Sequence, residues 1–206
     1  MLRSSRAVLA AAAFVLTATV FTDAAYAAQR LFLFEPPFQS LSDGRQRPDV
    51  RVKSGKVKLP PEYRRQMVSY ETNQSAGTVV VDTRSKFLYL VLGNGKAIRY
   101  GIGTARTGFE WKGTHKVTAK REWPGWTPPP EMRKRQPHLP AHMPGGINNP
   151  LGARALYLGS TLYRIHGTNE PRTIGQNVSS GCIRMVNADV EDLYERVKIG
   201  ARVIVL

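Results

Sequence analysis

The sequence predicts a mostly β domain of the sandwich or barrel-like kind, with one clear helix near the C-terminus and one long proline-rich loop. Short β-branched and aromatic runs, separated by glycine-containing turns, recur between residues 78 and 165. Apolar side chains at helical spacing are clear in one stretch alone, which begins near residue 187. The chain has 206 residues, which is enough for one domain with a sizeable core.

The first 27 residues have the composition of an export signal. Arg3 and Arg6 precede an apolar run over residues 7–20, and Ala-Tyr-Ala at 25–27 matches a signal-peptidase site. The run is short for a membrane-spanning helix, so an uncleaved anchor is the weaker alternative. We therefore expect residues 1–27 to be a signal peptide and the mature chain to act in a periplasm or cell envelope.

Residues 28–75 read as a linker or strap, because they are rich in proline and lack sustained periodicity. The segment Pro60-Pro61-Glu62-Tyr63, with Met67 and Tyr70 after it, either floats free or docks on the domain. The domain itself is expected over residues 76–206.

Its strands are predicted from alternating and β-branched runs. A Gly-Asn-Gly turn at 93–95 indicates a hairpin, and the strand before His166 ends at that histidine. The predicted strands are 78–81, 87–92, 97–100, 113–120, 155–158, 162–165 and 202–206.

The helix is expected to begin at Asn187, whose side chain can cap it. Asp189 and Glu191 suit its first turn, and Gly200 ends it. The apolar face would consist of Val190, Leu193, Tyr194 and Val197.

Residues 122–150 interrupt the run of strands with closely spaced prolines, which argue against any regular element there. Long loops in compact domains often form lids or binding walls. We expect Trp123 and Trp126 to form a wall for a bound molecule, with Gly145 and Gly146 permitting movement. The alternative is a loop held down by aromatic burial for stability alone.

The formal net charge is +15. Residues 1–27 contain Arg3, Arg6 and Asp23, so the mature chain would carry +14. Such a charge attracts polyanions, and for an exported protein these are envelope polymers rather than nucleic acid. A solvated basic face without a specific partner is the alternative.

Cys182 is the one cysteine of the chain, so no disulfide can form within it. A lone thiol in an oxidising compartment, preceded by Ser-Ser-Gly, favours chemistry over packing as a small buried hydrophobe. Its ordinary pKa of about 8.5 leaves few thiolates at neutral pH. A histidine that accepts the thiol proton raises that fraction, and His166 is the candidate.

The motifs His-Gly-Thr at 166–168 and Ser-Ser-Gly-Cys-Ile-Arg at 179–184, with Cys182 sixteen residues after His166, resemble the L,D-transpeptidase (YkuD) catalytic domain. The similarity includes Gly145-Gly146 and Asn-Pro-Leu-Gly at 149–152. The resemblance implies that Cys182 is the nucleophile and His166 the general base and acid. It also implies that the main-chain carbonyl of Gly167 orients the histidine.

The same resemblance implies further assignments. The amides of Gly181 and Cys182 are expected to form the oxyanion hole. Arg184 is expected to meet a substrate carboxylate or to brace the site, with a purely structural ion pair as the alternative. Trp123, Trp126, Gly145 and Gly146 complete the expected substrate-binding set.

The implied activity is peptidoglycan L,D-transpeptidation without a cofactor. Cys182 would attack a stem tetrapeptide, D-alanine would leave, and an acceptor amine would take the acyl group. Water, a free D-amino acid or a lysine of an envelope protein are the alternative acceptors. A non-catalytic peptidoglycan-binding module is the alternative of another class, and a papain-like protease is disfavoured because its cysteine precedes its histidine.

His138 and His142 have the i, i+4 spacing of a helical zinc site, but Pro137 and Pro140 make a helix there implausible, and we expect no metal. His115 is expected to be a surface or sheet residue.

Overall fold

The computed structural model describes residues 59–206. Two helices and eleven strands lie in this range, together with single 3-10 turns at Pro61–Tyr63 and Pro171–Thr173. The strands are β1 Gln66–Ser69, β2 Val79–Asp82, β3 Phe87–Gly93, β4 Lys96–Gly101, β5 Thr104–Ala105, β6 Gly113–Glu122, β7 Arg154–Leu158, β8 Arg164–His166, β9 Asn177–Ser179, β10 Ile183–Arg184 and β11 Arg202–Val205; the helices are α1 Pro130–Arg135 and α2 Asn187–Arg196.

Nine of these strands form one mixed sheet in the order β1-β4-β3-β2-β11-β6-β7-β8-β10, and β5 pairs with β9 in a small parallel sheet. The first half of β6 pairs with β11, and its second half pairs with β7 across a bulge near Thr118. The long strand β6 thus joins the two halves of the sheet. The mostly β class predicted from sequence is confirmed.

The core contains side chains from both halves of the sheet and from α2. Val79, Leu88 and Tyr100 from the first half are completely buried, as are Leu156 and Ile165 from the second. Val190 and Leu193 of α2 belong to the same cluster. The helix therefore packs its apolar face on the sheet, and β7 is its principal neighbour.

Two local expectations were wrong. The proline-rich segment does contain a regular element, α1, because Pro130 occupies its first turn, where no backbone N–H is needed. Asn187 does not cap α2: Val186 holds the cap position without a side-chain bond, and the Asn187 amide is engaged with other loops.

Residues 59–75, part of the predicted linker, contribute a strand. β1 pairs antiparallel with β4, and the ring of Tyr70 stacks on Tyr89 with centroids 4.5 Å apart. Arg65 also pairs with Asp192 of α2 at 2.9 Å.

Among residues 59–206, no helix has the length and apolar composition needed to cross a bilayer. The predicted signal peptide and residues 28–58 of the linker lie outside the described residues.

Candidate active site

The pairing of β8 with β10 brings the two motifs together. These strands run parallel, with Ile183 opposite Ile165 and Arg184 opposite His166. Both isoleucines are buried in the core. Since side chains alternate along a strand, Arg164, His166, Cys182 and Arg184 project from the other face. On that face Cys182, the residue directly before β10, is the diagonal neighbour of His166.

His166 is held in one orientation by the main chain. Its Nδ1 lies 2.5 Å from the carbonyl oxygen of Gly167, which can only accept, so Nδ1 carries the proton. In the neutral ring Nε2 then has a free lone pair. Burial lowers the pKa of His166 to about 3, and the Arg184 guanidinium contributes in the same direction. The imidazole is therefore neutral at physiological pH and available as a base.

Asn187 fixes the segment that follows the histidine. Its Oδ1 accepts hydrogen bonds from the amides of Ala153 at 3.0 Å and Thr168 at 3.2 Å. A Cβ on Gly167 would lie 2.3 Å from this oxygen, and a Cβ on Gly152 would lie equally close. Glycine at both positions therefore lets Asn187 join the two loops beside His166.

The loop before Cys182 is closed on itself by Ser179. The Ser179 hydroxyl donates to the carbonyl of Cys182 at 2.6 Å and accepts from the amide of Gly181 at 3.1 Å. The indole of Trp111 donates to the carbonyl of Gly181 at 2.6 Å. These contacts hold the cysteine in place, and they occupy the Gly181 amide, which we expected in the oxyanion hole.

Gly181 has a φ of 113°, which favours glycine. A Cβ there would lie 2.5 Å from the ring of Tyr163, which itself stacks on Trp111 at 4.1 Å. Space and backbone conformation both require glycine before the cysteine.

The Cys182 thiol is half-buried, and its Sγ lies 3.7 Å from the carbonyl oxygen of Leu162. Burial raises the pKa of Cys182 above its ordinary value, although the nearby charges of Arg164 and Arg184 oppose that shift. The resting pair is therefore a neutral thiol beside a neutral imidazole.

Both side chains open into a cavity of about 640 Å³. The proline-rich segment forms one of its walls through α1 and the residues around it, including Trp126 and Met132. The full lining is Phe109, Trp126, Pro129, Glu131, Met132, Arg135, Pro150, Leu151, Thr161, Leu162, Tyr163, Arg164, His166, Ser179, Ser180, Cys182 and Arg184.

Three of the predicted substrate-binding residues are not brought to this lining. Trp123 donates its amide to the Ala153 carbonyl at 2.7 Å, and its own carbonyl lies against Gly145, so close that a Cβ there would overlap it. Gly146 likewise lies off the cavity wall. The backbone of Trp123 thus secures the base of the segment, whereas Trp126 faces the cavity.

Arg184 lines the cavity and also forms an ion pair with Glu170 at 3.3 Å. Arg164, on the same face, was missed by the sequence reasoning. Its position two residues before His166 on a strand was a usable signal, since such residues share a face. Asn187 and Trp111 were missed as supports of the site because hydrogen bonds between distant segments leave no local pattern.

His142 lies 2.9 Å from the hydroxyl of Thr127 through its Nδ1. His115 is half-buried in β6, with its ring edge-to-face on Trp111 at 5.2 Å. Within residues 59–206 no group of three or more His, Cys, Asp or Glu side chains is arranged to hold a metal ion.

Comparison with known proteins identifies the family. The model of the L,D-transpeptidase catalytic domain matches residues 76–205. The chain belongs to this family. The L,D-transpeptidase catalytic domain is an enzyme domain, and the resemblance stated from the motifs is thereby confirmed.

Curated relatives carry the same family name. The chain is 47% identical over 109 residues to the probable L,D-transpeptidase ErfK/SrfK of Escherichia coli, which covers 50% of this chain and 34% of that protein. It is 39% identical over 135 residues to the probable L,D-transpeptidase YbiS of the same species, with 62% and 43% covered. The chain thus spans well under half the length of these relatives.

A solved structure shows the same fold. The avibactam carbamoyl enzyme Ldtfm superposes with a TM-score of 0.52 at 17% identity, over 65% of this chain and 49% of that chain.

Proposed function

We propose that this protein is a peptidoglycan L,D-transpeptidase in which Cys182 is the nucleophile and His166 the general base and acid. The observation that carries the proposal is the register of β8 and β10, which makes His166 and Cys182 diagonal neighbours on the wall of one cavity. Membership of the L,D-transpeptidase family supports it independently.

The acylation step starts from the neutral pair. Nε2 of His166 takes the thiol proton as Sγ attacks the carbonyl carbon of the third stem residue. The bond between that residue and D-alanine then breaks, and the departing amine takes the proton from His166. The product is a thioester on Cys182 and free D-alanine.

The oxyanion formed during attack needs backbone donors. The amide of Gly181 is engaged by Ser179 Oγ, so we assign the oxyanion chiefly to the amide of Cys182 itself. The Gly167 carbonyl keeps Nδ1 protonated through both steps, so no carboxylate is required as a third member of the site.

Deacylation uses the same groups in reverse. An acceptor amine loses its proton to Nε2 of His166 and attacks the thioester, which restores the thiol. We propose an amine of a second stem peptide as acceptor, so that the product is a cross-link. The thioester conserves the energy of the broken peptide bond, so no nucleotide is consumed.

The cellular setting follows from the substrate. Peptidoglycan stems lie outside the cytoplasmic membrane, which agrees with the export signal expected over residues 1–27. The net charge of +14 expected for the mature chain would hold it near the carboxylates and phosphates of the envelope.

The test is intact-protein mass spectrometry of the purified chain with a disaccharide tetrapeptide, followed by analysis of the soluble products. We expect a covalent adduct equal to the donor minus D-alanine, released D-alanine, and a dimer linked between two third residues. Donor bound without any covalent adduct would instead indicate a binding module. Tripeptide without dimer would indicate water as the acceptor.

The proline-rich wall makes a separate prediction. Trp126 lines the cavity, so Trp126→Ala should admit water to the thioester and raise the ratio of tripeptide to dimer several-fold. Alkylation of Cys182 by a small reagent should stay equal or become faster.

Trp123→Ala is the matched control, since Trp123 belongs to the same segment but lies off the lining. Thermal unfolding of both variants checks that they fold. An equal product ratio in Trp126→Ala and the wild type would leave the tryptophan a role in stability alone.

A further inference from the structure

Arg164 is the neighbour of Cys182 across the β8–β10 pairing, and the proposed function gives it no role. It precedes His166 by two residues on β8, and continuation of the β8–β10 register puts it opposite Cys182. Its side chain lines the cavity together with His166, Cys182 and Arg184. The face that carries the reacting groups thus also carries two guanidinium groups.

The two arginines differ in whether a carboxylate pairs with the guanidinium. Arg184 pairs with Glu170 at 3.3 Å. Arg164 pairs with no carboxylate within residues 59–206; its Nη1 donates to the carbonyl of Leu162 at 3.2 Å, and its guanidinium lies 5.0 Å from the ring centroid of Tyr157. The Nε atoms of Arg164 and Arg184 are both buried without a hydrogen-bond partner in the same range, so the carboxylate partner is what distinguishes the two arginines.

The Leu162 carbonyl that accepts from Arg164 also accepts from the Cys182 thiol, at 3.7 Å. The guanidinium and the sulfur therefore share one oxygen and lie within reach of one small group. A charged guanidinium with open donors beside a nucleophile is suited to a carboxylate, which it can bind in a two-pronged geometry.

The donor peptide of the proposed function has such a carboxylate close to the attacked carbonyl. The leaving residue is the last of the stem, so its free α-carboxylate lies one residue beyond the scissile bond. The side chain of the third residue carries a further carboxylate in some stems, on the other side of the scissile bond.

We propose that Arg164 is a specificity-determining residue that binds the terminal α-carboxylate of the leaving residue. Arg164 then restricts the enzyme to donors whose chain ends at that residue, while Arg184, paired with Glu170, braces the loop. This inference rests on the proposed function, and it moves carboxylate recognition from Arg184, where the motif suggested it, to Arg164.

The principal test compares two tetrapeptide donors, one with a free terminal acid and one with a terminal carboxamide. For the wild type we expect kcat/KM for release of the fourth residue to be about ten- to a hundredfold higher with the acid, the range for hydrogen bonds to a charged group. Arg164→Met should bring the ratio close to one, and Arg164→Lys should restore part of it.

Loss of the Arg164 charge also affects the thiol, but that effect is common to both donors and cancels in the ratio. Arg202→Met, an exposed residue of β11, is the control for the loss of one positive charge and should keep the wild-type ratio. An acid-to-amide ratio that is the same in Arg164→Met and the wild type overturns the inference.

A second pair of donors tests which of the two carboxylates Arg164 binds. These donors share a free terminal acid and differ in whether the third side chain carries a carboxylate. We expect Arg164→Met to leave this second ratio unchanged. If Arg164→Met removes only the discrimination at the third residue, the guanidinium binds the other carboxylate, and the inference is wrong.

The rate of Cys182 alkylation tests the role of Arg164 without relying on the proposed function. Arg164→Met should lower the rate with iodoacetate, an anion, several-fold more than the rate with neutral iodoacetamide. If the wild type releases no amino acid from either donor, the proposed function fails. The ratio of the iodoacetate rate to the iodoacetamide rate then decides by itself whether Arg164 binds a carboxylate near the thiol. An unchanged iodoacetate-to-iodoacetamide ratio then overturns the role of Arg164.

Discussion

Cys182→Ala is expected to abolish both the acyl-enzyme adduct and the release of D-alanine. The chain has no second thiol that could replace the nucleophile. Cys182→Ser should fail almost as completely, because a serine hydroxyl is far harder to ionise than a thiol at neutral pH. Intact-protein mass and D-alanine release measure both effects.

Folding of these variants should be nearly unchanged. Cys182 is half-buried in a loop, and the hydrogen bonds that hold the loop come from Ser179, Gly181 and Trp111 rather than from the thiol. The thermal unfolding midpoint checks this. Substantial turnover by a folded Cys182→Ala variant would show that the nucleophile is another residue.

His166→Ala is expected to slow acylation by about 10²- to 10⁴-fold, the usual contribution of a positioned general base. Alkylation of Cys182 near neutral pH should slow as well, because the thiol loses its proton acceptor. His166→Gln is the better-matched variant for volume, since the site is buried. Stopped-flow or mass-based acylation rates give the measurement.

The pH dependence follows from the directions of the two pKa shifts. Burial lowers the pKa of His166 well below 6.5, so the base is lost only when the pH falls far below that value. Burial raises the pKa of Cys182, so free thiolate accumulates only at alkaline pH. The wild-type alkylation rate should therefore show no inflection near pH 6.5 and should rise towards alkaline pH.

Two results would contradict this description. An inflection near pH 6.5 in the wild type that disappears in His166→Ala would indicate a thiolate–imidazolium pair at rest. Identical profiles for the wild type and His166→Ala would show that the two residues are not coupled.

Local sequence signals were sufficient to predict the β class and the long strands, and to select Cys182 and His166 as the candidate reacting pair. Runs such as residues 87–92 and the turn at 93–95 are local signals, and the observed strands β3 and β4 follow them closely. Cys182 and His166 could be selected because a single thiol and a histidine at a strand end are rare and chemically specific.

Short elements escaped prediction because their pairing is tertiary. β5, β9 and β10 have two or three residues each, too few for any periodicity, and they exist because a neighbouring strand pairs with them. β1, within the predicted linker, is likewise defined by its pairing with β4. Asn187 looked like a helix cap because such residues favour that position, but two distant amides bind its oxygen instead.

The same division between local sequence signals and tertiary contacts applies to the site. The residue types indicated which groups could react, but only the parallel register of β8 and β10 brings His166 and Cys182 to one face. Trp126 and Trp123 are equivalent in the sequence, and the backbone packing of Trp123 against Gly145 separates them. Arg184 is in the motif and Arg164 is not, yet Arg184 pairs with Glu170, whereas Arg164, which lines the same cavity, pairs with no carboxylate among residues 59–206. Partners distant in sequence set these charges and contacts, so only the tertiary structure could decide them.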